Sequence, residues 1–223
     1  MDPKALSFQH PETQEWAHDS RDPLKEALCT YLKPAWESLP PDHAPILRLL
    51  EIGFGRGLNT AMALSKLAAI NFPGEIEAWG CEPNPDFLPP WPTPPEGLQK
   101  YVPWWGETIL EKPRVHLLAQ PSARVEVHRK TAVELMEVLP ESQIHWIFLD
   151  LFSPARHPQD WEPQLFSALA RVAEPEAVLT SYCCARRVRD GLQTAGWECE
   201  IIRRPHYRDT LRARFLASEG ENA

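Results

Sequence analysis

The stretch "LRLLEIGFGRGLNTAMAL", Leu47 to Leu64, places glycines at 53, 55 and 57 between an apolar run and an amphipathic segment. Ile46, Leu47, Leu49, Leu50 and Ile52 read as a short buried strand, and Leu58, Met62, Leu64 and Leu67 recur at helical spacing. The glycines therefore fall in a strand-to-helix turn. Glycine there permits positive φ and lets a ligand approach the backbone, with a helix N-terminus just behind. That suits a nucleotide-like ligand, but the dinucleotide pattern GxGxxG fails, because its last position counted from Gly53 is Leu58. An acid, Glu51, stands just before the first glycine instead.

Outward from this turn, strand-like and helix-like patterns alternate. "EIEAWGCE" (75–82), "RVEVHRK" (124–130), "IHWIFLD" (144–150) and "EAVLTSY" (176–182) read as further strands, separated mostly by helical stretches at 131–139, 161–173 and 185–195. This alternation predicts an α/β domain, a mostly parallel sheet with helices on both faces, over residues 46–223. Residues 1–45 form a helical extension, in which Asp22 followed by Pro23 has the form of an N-cap with proline at the first helical position. The segment from Cys81 to Pro113 holds nine prolines and three tryptophans. Such density prevents continuous helix and interior strand. Residues 83–113 are thus an insertion over the carboxyl ends of the strands, where open α/β sheets bind ligands, or a surface loop whose tryptophans fill a satellite cluster.

A carboxylate at Glu51 would repel a pyrophosphate and attract a cation. S-adenosyl-L-methionine carries a sulfonium and an α-ammonium group, and a second acid, Glu82, ends the second strand, where a carboxylate can accept both ribose hydroxyls. The fourth strand ends in "FLDLFSPARHPQDW", which sends Asp150 toward the same crevice. Methyl transfer to an amine needs a neutral nitrogen lone pair, and a carboxylate can orient the N–H and take its proton. Asp150 is placed for that work, with Phe152 as a wall of the site.

Composition sets the remaining bounds. The net charge of −8 over 223 residues argues against a generally basic nucleic-acid binder. Yet between Ser181 and Arg214 eight arginines stand against four acids, and such a local surplus can meet phosphates. Arg203, Arg204 and Arg208 are the candidates for that contact. The five cysteines are odd in number and form no CxxC pair, which fits reduced thiols rather than a disulfide or zinc framework. No metal is expected. With no signal-peptide pattern and no apolar run near the roughly 20 residues needed to span a bilayer, the chain is expected to be cytoplasmic and without a membrane partner.

"EIGFGRGLNT", "IFLDLFSPARHPQDW" and "SYCCARRVRDGLQTAGW" together resemble the tRNA 5-methylaminomethyl-2-thiouridine methyltransferases, which stand alone or form the amino-terminal half of the bifunctional enzyme MnmC. The resemblance runs from about His18 to the region of Arg204, and "HDSRDPLKEAL" is similar to a family segment at His18 and Glu26. It implies a Rossmann-like class I methyltransferase that uses S-adenosyl-L-methionine to methylate the aminomethyl nitrogen of a wobble uridine in tRNA, with a separate tRNA-modifying enzyme as a possible supplier of that substrate. The implied cofactor residues are Glu51, Gly53, Phe54, Gly55, Gly57, Asn59, Glu82, Ala132 and Asp150, and Tyr182 falls on the family's Thr-Tyr after the fifth strand. Three departures stand out. Lys130-Thr131-Ala132 replaces a Gly-Asp-Ala whose aspartate meets the adenine amine, Asp22 replaces a glycine, and "RRPHYRDTLRARFL" replaces a glycine-rich Lys-Arg-Glu element. The competing reading is a small-molecule amine methyltransferase or an aminopropyltransferase-like enzyme on the same fold.

Overall fold

The computed structural model describes residues 7–18, 21–87, 122–205 and 208–216; most of the proline-rich insertion lies outside them. Seven strands form one sheet in the order β3-β2-β1-β4-β5-β7-β6. β1 (Ile46–Ile52), β2 (Glu75–Cys81), β3 (Ala123–His128), β4 (Ile144–Leu149) and β5 (Ala173–Ser181) run parallel. β7 (Thr210–Phe215) is antiparallel to both β5 and β6 (Trp197–Ile202). The chain leaves β1 toward β2 on one side and returns as β4 on the other. This reversal opens a crevice at the carboxyl ends of β1 and β4.

Both sheet faces are covered, as the nearly unbroken apolar β4 requires. Leu47, Leu49, Trp146 and Phe148 face one layer, with Leu58, Ala61 and Leu64 of α3 (Leu58–Ala69) and residues of the N-terminal helix. Leu50, Ile52, Ile147 and Leu149 face the other, formed by α4 (Ala132–Val138), α5 (Pro163–Val172) and α6 (Arg186–Thr194).

The N-terminal helix starts as expected: the Asp22 side chain accepts from the Lys25 N–H at 3.0 Å, and Pro23 opens α1 (Pro23–Glu26). It continues through a π-helical segment, Ala27–Leu32, into α2 (Lys33–Ser38). Pro34 explains the wide turn, since a proline inside an α-helix lacks the N–H and crowds the carbonyl four residues back. Ala27, Tyr31, Leu32 and Ala35 are fully buried in the same core as β1.

Two differences from the sequence reading concern the end of the chain. β5 begins at Ala173 rather than 176, with a register shift against β4 and Glu176 at φ +72°. The arginine-rich terminal stretch contains two strands, β6 and β7. Glu198 pairs with Arg214, and Glu200 with Arg212, directly across them. Those two arginines serve cross-strand ion pairs, with Arg214 also bonded to Glu176 at 3.0 Å.

Candidate active site

The glycine turn is shaped by what surrounds it. Gly53 has φ +77°, and a Cβ there would lie 2.5 Å from the carbonyl oxygen of Asp150, so the ends of β1 and β4 touch backbone to backbone. Gly57 has φ +70°, and a Cβ there would strike the Phe54 ring. That ring is buried against Gly57 and Gly80, and the Phe54 N–H donates to the Cys81 carbonyl at 2.8 Å. Only a glycine-rich turn lets Phe54 fold under the loop this way.

A cleft of about 450 Å³ opens over this turn. Gly53, Phe54, Gly55, Glu82, Ala132, Asp150, Phe152 and Tyr182 line it, so eight of the residues expected from the sequence converge. Glu82 accepts the Gly55 N–H at 3.1 Å and the Asn84 N–H at 3.0 Å. Its burial pushes the carboxyl up to about 7 against the lowering effect of those two donors.

Glu51, Gly57 and Asn59 do not line the cleft. The fully buried Glu51 accepts from the Thr60 N–H at 3.0 Å, from the Thr60 hydroxyl and from Asn59 Nδ2 at 2.9 Å. It satisfies donors of the first turn of α3, which otherwise lack partners. Burial raises its carboxyl to about 7, the Thr60 bonds oppose this, and Asp150 adds to it. The attraction expected between Glu51 and a cation thus acts from behind the turn.

Asp150 is the hub. One carboxylate oxygen accepts from the Tyr31 hydroxyl, and the other accepts from Asn59 Nδ2 at 2.8 Å and lies 3.8 Å from His18 Nδ1. His18 in turn faces Glu26 at 3.6 Å. Burial alone would lower the His18 pKa, but Asp150, Glu26 and Glu51 outweigh it and the net direction is upward. Burial, with Asp150 and Glu26, holds the Tyr31 phenol well above its usual value, so it stays a donor. Burial also raises Asp150, with His18 and Tyr31 pulling the other way.

The resemblance marked His18, but sequence reading did not anticipate the contribution of the rest of residues 7–18 or of Tyr31. Gln9 and Trp16 form an antiparallel bridge, and Glu15 is anchored by Ser153 through its N–H at 3.0 Å and hydroxyl at 2.9 Å. This fold-back brings Phe8, His10, Trp16 and His18 to the cleft. Phe8 and Phe87 lie 4.6 Å apart by ring centroid, Phe87 and Phe152 5.9 Å, and Phe152 and His157 5.2 Å, giving the cleft an aromatic wall.

The three candidate arginines are not gathered at the cleft. Arg203 is exposed, and the half-buried Arg204 keeps Nη1 without a hydrogen-bond partner among the described residues. Arg208 stacks over the Tyr182 ring at 5.8 Å.

At the other end of the sheet His43, His145 and Glu174 bring ligand-type atoms within 4.8 Å of one another. There His145 Nδ1 accepts the Arg48 N–H at 2.8 Å, which leaves the ring proton on Nε2, facing Glu174. Burial, with His43 and Arg48, lowers this histidine to about 4, so a neutral ring with both nitrogens engaged bridges the strands.

A mostly parallel sheet with a glycine turn and a strand-end acid at its switch point has the form of a nucleoside-cofactor crevice. Residues 96–214 match the family described as S-adenosyl-L-methionine-dependent methyltransferase. The chain belongs to that family, and its cofactor is S-adenosyl-L-methionine. Among curated proteins it is 33% identical over 166 residues to the tRNA 5-methylaminomethyl-2-thiouridine biosynthesis bifunctional protein MnmC of Pseudomonas paraeruginosa, a match covering 68% of this chain and 24% of that one. The matched parts span between 13% and 25% of such relatives. The crystal structure of MNMC2 from Aquifex aeolicus superposes with a TM-score of 0.80 at 22% identity, over 95% of this chain and 66% of that one. Spermidine synthase from Thermotoga maritima gives 0.53 at 12% identity, over 94% and 67%. These two likenesses establish the fold. Among the described residues no helix is long and apolar enough to cross a membrane.

Proposed function

We propose that this methyltransferase acts in the cytoplasm on tRNA, methylating the aminomethyl nitrogen of a modified wobble uridine to convert 5-aminomethyluridine into 5-methylaminomethyluridine. The observation that carries the reading is Asp150: a strand-end carboxylate facing an aromatic-walled cleft, positioned by Tyr31 and Asn59. The names of the curated relatives supply the substrate class.

The residues present fit the cofactor. Glu82 stands at the end of β2 for ribose hydroxyls, Gly53 and Gly55 keep the floor free of side chains, and Ala132 offers a small wall for the purine. The acids behind the floor favour a positively charged ligand. When bound, S-adenosyl-L-methionine supplies an electrophilic methyl group. Asp150 accepts a substrate N–H and aims the nitrogen lone pair, and the proton passes to its carboxylate beside His18. Phe8, Phe87 and Phe152 present ring faces on which an unstacked base can lie and from which water is excluded.

One prediction concerns pH. A Glu82 carboxyl held near 7 is mostly protonated below that value, and the ionised form is the stronger acceptor for hydroxyl donors. Donor affinity should therefore rise from about pH 6 to about pH 8, by at most about tenfold per unit, and level off above. Glu82→Gln should flatten the profile. A flat wild-type titration by calorimetry would contradict the role of Glu82.

A small-molecule amine is the second reading, favoured by Arg212 and Arg214 being engaged in ion pairs. Mass spectrometry of wobble nucleosides from a strain lacking the gene separates the two. Accumulation of the unmethylated aminomethyl nucleoside is expected; an unchanged nucleoside profile would sink the tRNA reading.

A further inference from the structure

Beside the cleft, and sharing Trp16 and His18 with it, lies a second pocket of about 450 Å³ with different chemistry. Arg21, Arg156 and Arg208 line it, and all three are exposed. Among the described residues that line it, Glu15 is the carboxylate, and it accepts from the Ser153 N–H and hydroxyl. Two of the guanidinium groups are held in place: Arg156 donates to the Thr13 carbonyl, and Arg208 stacks on Tyr182, whose hydroxyl donates to the Leu151 carbonyl at 2.9 Å. Two anchored guanidinium groups with a third, Arg21, around a polar hollow match an anion with several oxygens, because guanidinium groups pair bidentately with phosphate and lose little freedom in doing so.

We propose that this pocket is a phosphate subsite, taking a backbone phosphate next to the nucleotide whose base enters the cleft. The proposal rests on RNA being the substrate. The arrangement divides the work: the acids and aromatic rings of the cleft meet the base and its amine, while the arginines grip the chain beside it. Phosphate contacts fix register and orientation. A net acidic protein needs such a local grip, since its overall field repels RNA. The donor's own carboxylate is a second source of anionic oxygen, and the test distinguishes it.

The test combines the variant Arg21→Gln/Arg156→Gln with a short anticodon stem-loop carrying a 5-aminomethyluridine, unmodified or with a neutral methylphosphonate flanking that nucleotide. Wild type should lose roughly tenfold or more in affinity when one flanking phosphate is neutralised. The variant should bind the unmodified stem-loop with a similar deficit and show little further loss on neutralisation, the non-additivity expected of a direct contact. Its affinity for S-adenosyl-L-methionine should equal that of wild type, which also reports an intact fold. Equal losses on neutralisation in both proteins would refute the subsite while leaving the tRNA reading standing. Loss of donor binding in the variant would assign the arginines to the donor carboxylate and overturn the proposal. Failure of wild type to bind the unmodified stem-loop would overturn the tRNA reading and the subsite together.

Discussion

Asp150→Asn is expected to lower turnover by about a hundredfold or more while changing donor affinity only a few fold, the signature of a positioned proton acceptor. The substitution keeps the shape of the side chain. Its remaining carbonyl oxygen can still accept from Asn59, and the new amide can donate to the Tyr31 hydroxyl, which rotates to accept. What is lost is the negative charge beside His18 and the basic site facing the cleft. Steady-state kinetics and calorimetry on the same preparation check this. Equal losses in donor binding and rate would make Asp150 a cofactor ligand, and a collapse in melting temperature would make it structural.

Gly53→Ala is the second large effect, on stability as well as activity. The new methyl would lie 2.5 Å from the Asp150 carbonyl oxygen, 2.9 Å from its carbon and 3.2 Å from the Leu151 nitrogen. All three are backbone atoms, so the clash cannot be relieved by a side-chain rotation. The residue must also keep φ +77°. Left-handed strain of about 1–2 kcal/mol and overpacking of about 1–3 kcal/mol together predict a melting temperature lower by roughly 5–15 °C for a chain of this size. Any relaxation that does occur pushes Asp150 out of register, so methyl transfer should fall with it. Gly55→Ala is the internal control for the fold: its methyl meets only the movable Phe8 ring, at 3.3 Å. Its stability loss should be smaller. Scanning calorimetry of the two variants decides the matter, and a wild-type melting temperature for Gly53→Ala would show that the β1–β4 contact is looser than the geometry indicates.

The strand, turn and helix from Ile46 to Ala69 were legible because each signal there is local: an apolar run, glycines at the bend, then helical periodicity. Strand-end acids were legible for the same reason. Glu82 and Asp150 follow recognisable strands, and the parallel order then brings them to one crevice. The last two strands were harder to see because their alternating charges resemble a basic patch. Only with the register known do Glu198 and Glu200 on β6 become the partners of Arg214 and Arg212 on β7. The contact of Tyr31 with Asp150 joins residues 119 positions apart, and no periodicity reports such a pair. The fold-back of residues 7–18 is likewise held by distant groups, with Ser153 gripping Glu15, so its part in the cleft left no local mark. Glu51 shows the converse limit. Its type and position were visible, but the donors of Asn59 and Thr60, which turn it away from the cleft, belong to the folded helix start.

The most direct measurement supplies the purified chain with methyl-labelled S-adenosyl-L-methionine and tRNA bearing 5-aminomethyluridine at the wobble position, then digests the RNA and locates the label. Label is expected on 5-methylaminomethyluridine alone, in amounts that fall with Asp150→Asn. Label on any other nucleoside, or none in RNA while a free amine is methylated, would contradict it.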